Sequence, residues 1–550
     1  MNARRAKGRV RLAILAFSAL FLAIGARLVW LGMVPDIEVR ARTDAEAALA
    51  TSRPEILDRN GRQLATDVQT SSIYAEPRRM LDSDEAAEAL LKVMPELDPG
   101  DLRKKFESKA GFAWVKREIA PREQQGVQRL GIPGIGFLNE KRRVYPNGPV
   151  VSHVLGAVDV DNKGISGLEK YIDVQGRVSP DGKTPLPDMS LALDLGVQHA
   201  VRDELVKAKE RFQAIAASGV VMDVDTGEVV GFVSLPDFDP NNPADALKPD
   251  NINRVAVGVY EMGSTFKALT LAMALDSGRV RLTDRFDASH PLRYGRFTIT
   301  DYRGQNRVLS VPEVFIHSSN IGTAKIALEV GVEGHKAFLK KMGQLDRLRT
   351  ELAESAHPIV PKNWGELNTV TISYGHGLSV TALQTLMATS ALVNGGLLIP
   401  PTFMKRDREQ ARALATQVIK PQTSDQIRYL FRLNAEKGSA RKADVPGYRI
   451  GGKTGTAEKV VGGRYSSEKV MTAFTAVFPM DRPRYALLVM LDEPKPAEGT
   501  HGFRTSGWNA APVTGKIVAR IAPLLGVVPD FDPPPNLPPG IAAAALGEVR

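Results

Sequence analysis

The 550-residue chain reads as an α+β protein tethered at its N-terminus: a transmembrane helix, an extended mixed module, and a larger domain in which helices flank an antiparallel sheet. Three observations carry this reading. A charge-free apolar run opens the chain after a basic cluster. The texture changes near residue 190, from charge-, Pro- and Gly-rich to long apolar-periodic segments. Two strand pairs, at 218–234 and 472–491, enclose mostly helical patterns, so one antiparallel sheet is assembled from distant parts of the chain.

The elements follow in order. Arg4, Arg5, Lys7, Arg9 and Arg11 form the basic cluster, and "LAILAFSALFLAIGA" (12–26) follows without a charge. Arg27 interrupts the run before "LVWLGMV" (28–34), so residues 12–34 are long enough to cross a bilayer, with Arg27 able to snorkel and Trp30 at interface depth. The positive flank, residues 1–11, keeps the N-terminus in the cytoplasm and sends the body outside. A cleaved export signal is the competing reading, although no clear small-x-small cleavage site follows. The absence of cysteine excludes disulfides, thiolate metal sites and a cysteine nucleophile. No HExxH or comparable spacing occurs among the eight histidines, so neither metal nor cofactor is called for. The net charge of +10 draws half its excess from the N-terminal cluster, and no aromatic-basic interleaving follows it, so nucleic acid is not an expected partner.

Residues 35–185 contain short alternating stretches such as "SSIYAEP" (71–77) and a helical stretch at 83–94. The larger domain, 186–525, begins with helical spacing in "LDLGVQHAVRDELVKAKERF" (193–212). A hairpin then turns at Asp225-Thr226-Gly227, a second turns around 481–483, and "GYRIGGKTGTA" (447–457) is a further strand ahead of it. The proline- and alanine-rich residues 526–550 read as a loosely attached tail.

Three short motifs bear on chemistry. In "YEMGSTFKALT" (260–270), Ser264 stands three residues before Lys267 where a glycine-marked loop enters an apolar helix. Residues three apart share a helix face, so hydroxyl and amine can meet, and a serine at a helix N-terminus lies among free backbone N–H groups suited to an oxyanion. The pair also reads as a plain helix cap. A second SxxK, "SSEK" (466–469), lies in a polar loop with no apolar run after it and carries no catalytic weight. Lysine serves as a base only when neutral; lowering its pKa from about 10.4 to about 7 costs roughly 4–5 kcal/mol, which burial and a nearby cation supply.

"GGKTGTA" (451–457) offers that cation in Lys453, with Thr454 and Thr456 on one side of a strand. Gly455 removes a side chain between them, so that another backbone, such as a peptide joining the sheet, can approach. In "HSSNIG" (317–322), Ser318 and Asn320 place a hydroxyl and an amide two residues apart, a pattern that also suits a turn. Each motif is weak alone. Their order and spacing, Ser264, then Ser318, then Lys453, is the SxxK, SxN, KTG set of penicillin-recognising serine enzymes.

The chain resembles a class B penicillin-binding protein, and the likeness covers residues 12–525. "RPEILDRNGRQLA" (53–65), "RVYPNG" (143–148) and "GISGLEKYID" (164–173) resemble the pedestal, or dimerisation-type, motifs of that family. "NRVAVGVYEMGSTFK" (253–267), "SYGHGLSVTALQ" (373–384) and "GWNAAPV" (507–513) resemble its transpeptidase motifs. Met262 stands where the family has proline and Pro54 where it has glycine, which bears on local loop geometry. The resemblance implies a serine penicillin-recognising transpeptidase domain and transfer from D-Ala-D-Ala stem peptides during septal cell-wall synthesis, blocked by β-lactams. It implies that Ser264 is nucleophile and Lys267 its base, that Ser318 relays a proton, and that Asn320 holds the substrate amide. Lys453, Thr454 and Thr456, with Gly455 between the threonines, would take the terminal carboxylate, and the N–H groups of Ser264 and Thr456 would form the oxyanion hole. A membrane glycan polymerase of the FtsW type and other division proteins are the implied partners.

Three alternatives stay open: the elongation-type enzyme of the same class, a hydrolase that resolves the acyl-enzyme with water, and a silent penicillin-binding scaffold. No ExxLN segment lies between Asn320 and Lys453, and "GELN" (365–368) has the wrong spacing, so fast deacylation lacks an obvious base.

Overall fold

The computed structural model describes residues 2–33 and 51–532, apart from 109, 180–183, 185 and 296. Helix α1 (Asn2–Met33) contains Arg11–Trp30, a stretch long and apolar enough to cross a membrane and with none of it buried against protein. The Arg27 guanidinium lies 4.4 Å from the Trp30 ring centroid, which gives the charge a partner near the end of the apolar stretch.

The first folded unit is built on strands β1 (Ile56–Leu57), β2 (Gln63–Ala75), β3 (Ala113–Ile119), β4 (Ile135–Val144) and β5 (Met189–Ser190). The long β2 pairs antiparallel with β1, β3 and β4, while β5 returns to lie parallel with β1. The helical stretch expected at 83–94 is α2 (Ser83–Val93), started by the Asp82 carboxylate on the N–H groups of Asp84 and Glu85.

The three pedestal motifs meet in a buried ion network centred on Glu169, which lies on the short helix α3 (Gly167–Val174). Its carboxylate takes Arg53 Nε at 2.6 Å and Arg143 Nε at 2.7 Å, and all three side chains are fully buried. Arg53 also reaches Asp173 Oδ1 (2.7 Å) and the Asn162 carbonyl (2.7 Å). Arg143 reaches Asp67 Oδ1 (3.2 Å) and the Pro54 carbonyl (2.9 Å). Burial alone would raise the Glu169 pKa; Arg143 and Arg53 overcome it and hold the carboxyl below its usual range.

The second unit contains the expected antiparallel sheet. Its strands are β6 (Ala216–Asp223), β7 (Val229–Leu235), β8 (Gly451–Val461), β9 (Arg464–Phe478) and β10 (Tyr485–Asp492), in the order β8-β9-β10-β6-β7. Because β10 is covered on both faces, it reads as a continuous apolar run. Ala486, Leu488 and Met490 join one core, while Tyr485, Leu487, Val489 and Leu491 join the other. One face packs against α4 (Leu195–Arg211) and the C-terminal α9 (Ala510–Leu524). The other carries α5 (Lys267–Ser277), α6 (Asn320–Lys341), α7 (Ala382–Val393) and α8 (Pro421–Lys437). The two units share part of one apolar core and several hydrogen bonds; at one of these contacts both Glu354 carboxylate oxygens face the Gly167 N–H (3.0 and 3.1 Å) at the start of α3.

Two expectations change. Ser466 lies on β9 rather than in a loop, because β8 and β9 extend into solvent as a two-stranded ribbon with no face to bury. The C-terminal tail is tied down at its start: Asp530 N–H donates to the Gly447 carbonyl (2.8 Å) and its carboxylate faces Arg449 (3.4 Å). Residues 533–550 lie outside the described residues.

Glu169→Ala leaves two guanidiniums buried without their shared counter-charge and is expected to destabilise the protein by about 3–5 kcal/mol, read by denaturant unfolding at neutral pH. The native contribution is in place above about pH 4 and is lost as the pH falls through the depressed folded-state value, so the gap between wild type and variant should close in acid.

Candidate active site

The Ser264 turn is shaped by close backbone contacts. Val259–Tyr260 pairs antiparallel with residues 380–381, and the Gly263 N–H donates to the Gly375 carbonyl (3.2 Å). Gly263 has φ +52°, and a Cβ there would sit 2.8 Å from the Thr456 carbonyl oxygen, so a side chain is excluded by both conformation and space. A single 3-10 turn, Gly263–Phe266, then leads into α5. Met262, the departure from proline, has φ −82°, within reach of the value proline would impose, so the turn is preserved.

Lys267 and Lys453 are both fully buried. The Lys267 amine is hydrogen-bonded to the Ser318 carbonyl (2.5 Å), Asn320 Oδ1 (2.7 Å) and Ser318 Oγ (3.1 Å). Lys453 Nζ donates to the same Ser318 Oγ (3.0 Å) and to the Thr454 carbonyl (3.1 Å). One hydroxyl therefore bridges two amines. Burial pulls Lys453 down to about 7. Lys267 falls well below its ordinary value, first by burial and then by the Lys453 charge, with Asp301 opposing. The charged form of Lys267 thus carries two penalties, burial and the neighbouring amine.

Ser318 itself is left-handed, with φ +56°, between the short helix Val311–Ile316 and α6. Its neighbours are gripped by Asp301, whose Oδ1 accepts from the N–H groups of Asn320 (2.5 Å) and Ile321 (3.0 Å), while Oδ2 accepts from Ser319 Oγ (2.7 Å).

Several expectations about individual residues are refined by these contacts. Among the described residues the Ser264 hydroxyl has no hydrogen-bond partner, and Lys267 is turned to Ser318 and Asn320 instead. Asn320 faces inward, with its Oδ1 on Lys267 and its Nδ2 on the Thr300 carbonyl (2.9 Å). Gly455 is approached by the chain's own turn rather than by open space: a Cβ there would lie 2.5 Å from the Met262 carbonyl oxygen. Thr454 and Thr456 share a side, but it is the side opposite Lys453, because Thr454 faces Phe474 of the α9 core while Gly455 pairs with Ala473 of the α5 core. Their hydroxyls are held by Ser439 Oγ (2.6 Å) and the Ser506 N–H (3.1 Å). Among the described residues the outer edge of β8 has no partner strand in the sheet, so an extended chain laid along it meets groups from both faces.

Sequence reasoning missed Asp301, Ser439 and Ser506. It also missed a cluster beside the nucleophile turn. Glu261 accepts from the Gly377 N–H (2.7 Å) and the Tyr465 hydroxyl (3.0 Å), and His376 lies between Tyr374 and Tyr465, its pKa lowered to about 4 by burial and then by the Lys267 charge.

A serine on a glycine-set turn, two desolvated lysines bridged by a second serine, and an open strand edge together make a site equipped for serine acyl transfer. The comparisons agree with that class. The penicillin binding protein transpeptidase domain matches residues 217–519, and the penicillin-binding protein dimerisation domain matches residues 48–175. The probable peptidoglycan D,D-transpeptidase FtsI of Caulobacter vibrioides is 40% identical over 489 residues, covering 86% of this chain and 82% of that protein. The peptidoglycan D,D-transpeptidase FtsI of Escherichia coli K12 is 29% identical over 539 residues, covering 92% and 90%. The crystal structure of a peptidoglycan synthetase from Bifidobacterium adolescentis has the same fold, with TM-score 0.69 at 21% identity over 89% of this chain and 98% of that one. The chain belongs to the penicillin-binding protein transpeptidases, in the arrangement that joins a dimerisation domain to a transpeptidase domain.

Lys453→Met removes a buried amine that the folded state prefers to keep neutral. Because the unfolded chain binds that proton more readily, stability from this group rises with pH from about 7 towards about 10.4. The variant is therefore expected to melt higher than wild type at pH 6 to about 7, with the advantage fading in alkali, while acylation by penicillin falls by about a hundredfold or more.

Proposed function

We propose that this protein is a peptidoglycan D,D-transpeptidase of the septal type, which cross-links stem peptides through a Ser264 acyl-enzyme. The observation that carries the reading is the chain of hydrogen bonds from Lys453 through Ser318 to Lys267, on the helix that begins three residues after Ser264.

In this reading the donor peptide lies along β8 with its terminal carboxylate at Lys453, Thr454 and Thr456. Ser264 Oγ attacks the carbonyl carbon of the penultimate D-Ala while its proton passes to the neutral Lys267 amine. Charge on the carbonyl oxygen is taken by the N–H groups of Ser264 and Thr456; the latter lies beside Gly263, a Cβ of which would sit 3.2 Å from that nitrogen. The C–N bond breaks, and the leaving D-Ala nitrogen receives a proton from Ser318 Oγ, which is refilled from Lys267. Asn320 turns towards the substrate amide as the cleft fills, using the N–H it does not spend on Thr300.

An amine from a second stem then attacks the ester carbon. It loses its proton as the new amide forms, and Ser264 recovers its own. In a β-lactam the broken C–N bond lies inside a ring, so the leaving amine stays attached and the acyl-enzyme persists.

The N-terminal cluster of Arg and Lys supports a cytoplasmic N-terminus and an outward-facing catalytic unit. At a division septum the natural partners are a membrane glycan polymerase, which supplies nascent strands, and other division proteins. The substrate classes are stem peptides and β-lactams, not nucleic acid.

Intact-mass measurement of the purified full chain after incubation with benzylpenicillin tests this. One covalent drug per chain, absent in Ser264→Ala, is the expected result. Rapid drug loss with unmodified protein returning would make the protein a hydrolase, and an unmodified chain with undiminished drug would favour a silent scaffold.

A further inference from the structure

We propose that Asp301 is a positioning residue for the transfer: its carboxylate holds Ser319, Asn320 and Ile321, which sets Ser318 where both lysines reach it and Asn320 where Lys267 does. The inference rests on the catalytic reading above and adds a group that belongs to none of the three motifs.

Asp301 follows the short strand Phe297–Ile299 and stands 19 residues before Asn320. With its neighbour Thr300 it makes four contacts to three consecutive residues of the Ser318–Ile321 segment. The carboxylate takes the N–H groups of Asn320 and Ile321 and the hydroxyl of Ser319, and the Thr300 carbonyl takes Asn320 Nδ2. Ser319 Oγ in turn accepts the Gly322 N–H (2.9 Å), capping α6. A negative charge here also lies at the positive end of that helix.

The grip is needed because of what precedes it. Ser318 adopts φ +56°, a conformation that residues with a Cβ disfavour, and this turns both its carbonyl and its hydroxyl onto Lys267. The Ser318 hydroxyl accepts from the two lysines, and the backbone that follows it is held from the other side. Asn320, next but one, offers Oδ1 to the same amine only while its backbone is pinned. Asp301 supplies the pin, and its position makes it more than a cap. Its charge acts on Lys267 and favours the protonated amine, opposite in sign to Lys453; His376, the other titratable neighbour of Lys267, is kept neutral by burial.

The full-length protein carrying Asp301→Asn or Asp301→Ala distinguishes positioning from simple capping. Asparagine keeps the one oxygen that accepts the N–H groups of Asn320 and Ile321, so Asp301→Asn should melt close to wild type. It is nevertheless expected to acylate with a fluorescent penicillin about tenfold more slowly, and Asp301→Ala about a hundredfold more slowly, with the loss in the acylation rate constant rather than in initial drug binding. Removing the carboxylate also makes Lys267 easier to deprotonate, so the acid limb of the rate–pH profile should move to lower pH in Asp301→Asn. Wild-type acylation rates with an unmoved acid limb in a folded Asp301→Asn protein would overturn the proposal. A crystal structure of Asp301→Ala provides a readout that needs no turnover: Ser318 and Asn320 displaced from the lysines is expected, and both still within hydrogen-bond distance of Lys267 would overturn the role. If wild type itself took up no penicillin at Ser264, the transpeptidase reading would fall, while that crystal structure would still decide what Asp301 holds in place.

Discussion

The catalytic unit is organised around a contact that is unfavourable in itself: two lysine amines, both sealed from water, sharing one serine hydroxyl. Placing two such cations together costs several kcal/mol in desolvation and repulsion, and the surrounding fold has to supply it. It does so with a five-stranded sheet that has apolar cores on both faces and with the helix α5, nine of whose eleven residues are buried. Both amines are held below the ordinary lysine range, Lys453 to about 7, which an exposed lysine cannot match. Much of the domain, on this view, is scaffolding for one displaced proton.

The first unit uses buried charge in the opposite way. Arg53 and Arg143 are as sealed as the two lysines, but Glu169 lies between them and nearly every donor finds an acceptor. Paired charges of this kind add little net stability over an apolar core, yet breaking one partner is severe, so they define an arrangement rather than strengthen it. One molecule thus contains a satisfied ionic cluster that fixes a shape and an unsatisfied one that stores reactivity. The two units that carry them are joined by a shared apolar core and by several hydrogen bonds, one of them from the first N–H of the Glu169 helix to the Glu354 carboxylate.

Much of this was legible in the sequence. The valine-rich hairpins and the basic-then-apolar N-terminus declare themselves through periodicity and charge, and the three motifs through order and spacing. What was not legible depends on which face a residue takes and on distant partners. Lys453 and Thr454 are neighbours on a strand and so face opposite sides, but only the pairing of β8 with β9 shows which core each side meets. Asp301 is one acidic residue in an irregular segment, without a motif of its own; its meaning comes from a helix start 19 residues later. The pedestal motifs could be quoted but not connected, since nothing local to Arg53 or Arg143 announces that both end on Glu169. The "SSEK" segment misled for a simple reason: a ribbon with water on both faces carries no alternation of apolar and polar residues.

The open edge of β8 has a further consequence, for solubility. Among the described residues that edge has no strand paired to it, so it is as much a template for a strand of a neighbouring protein as for a peptide, and such edges seed aggregation. Here the hazard is limited by length and charge. The inner half of the strand is buried except at its rim, while the outer half and its return carry Glu458, Lys459, Arg464, Glu468 and Lys469, mostly exposed and of both signs. A long partner strand would have to stack its own side chains against those charges, whereas a short peptide end would stop before reaching them. The same ribbon that looks like an ornament on the sheet thus serves as a guard, letting a chain terminus in and keeping a whole strand out.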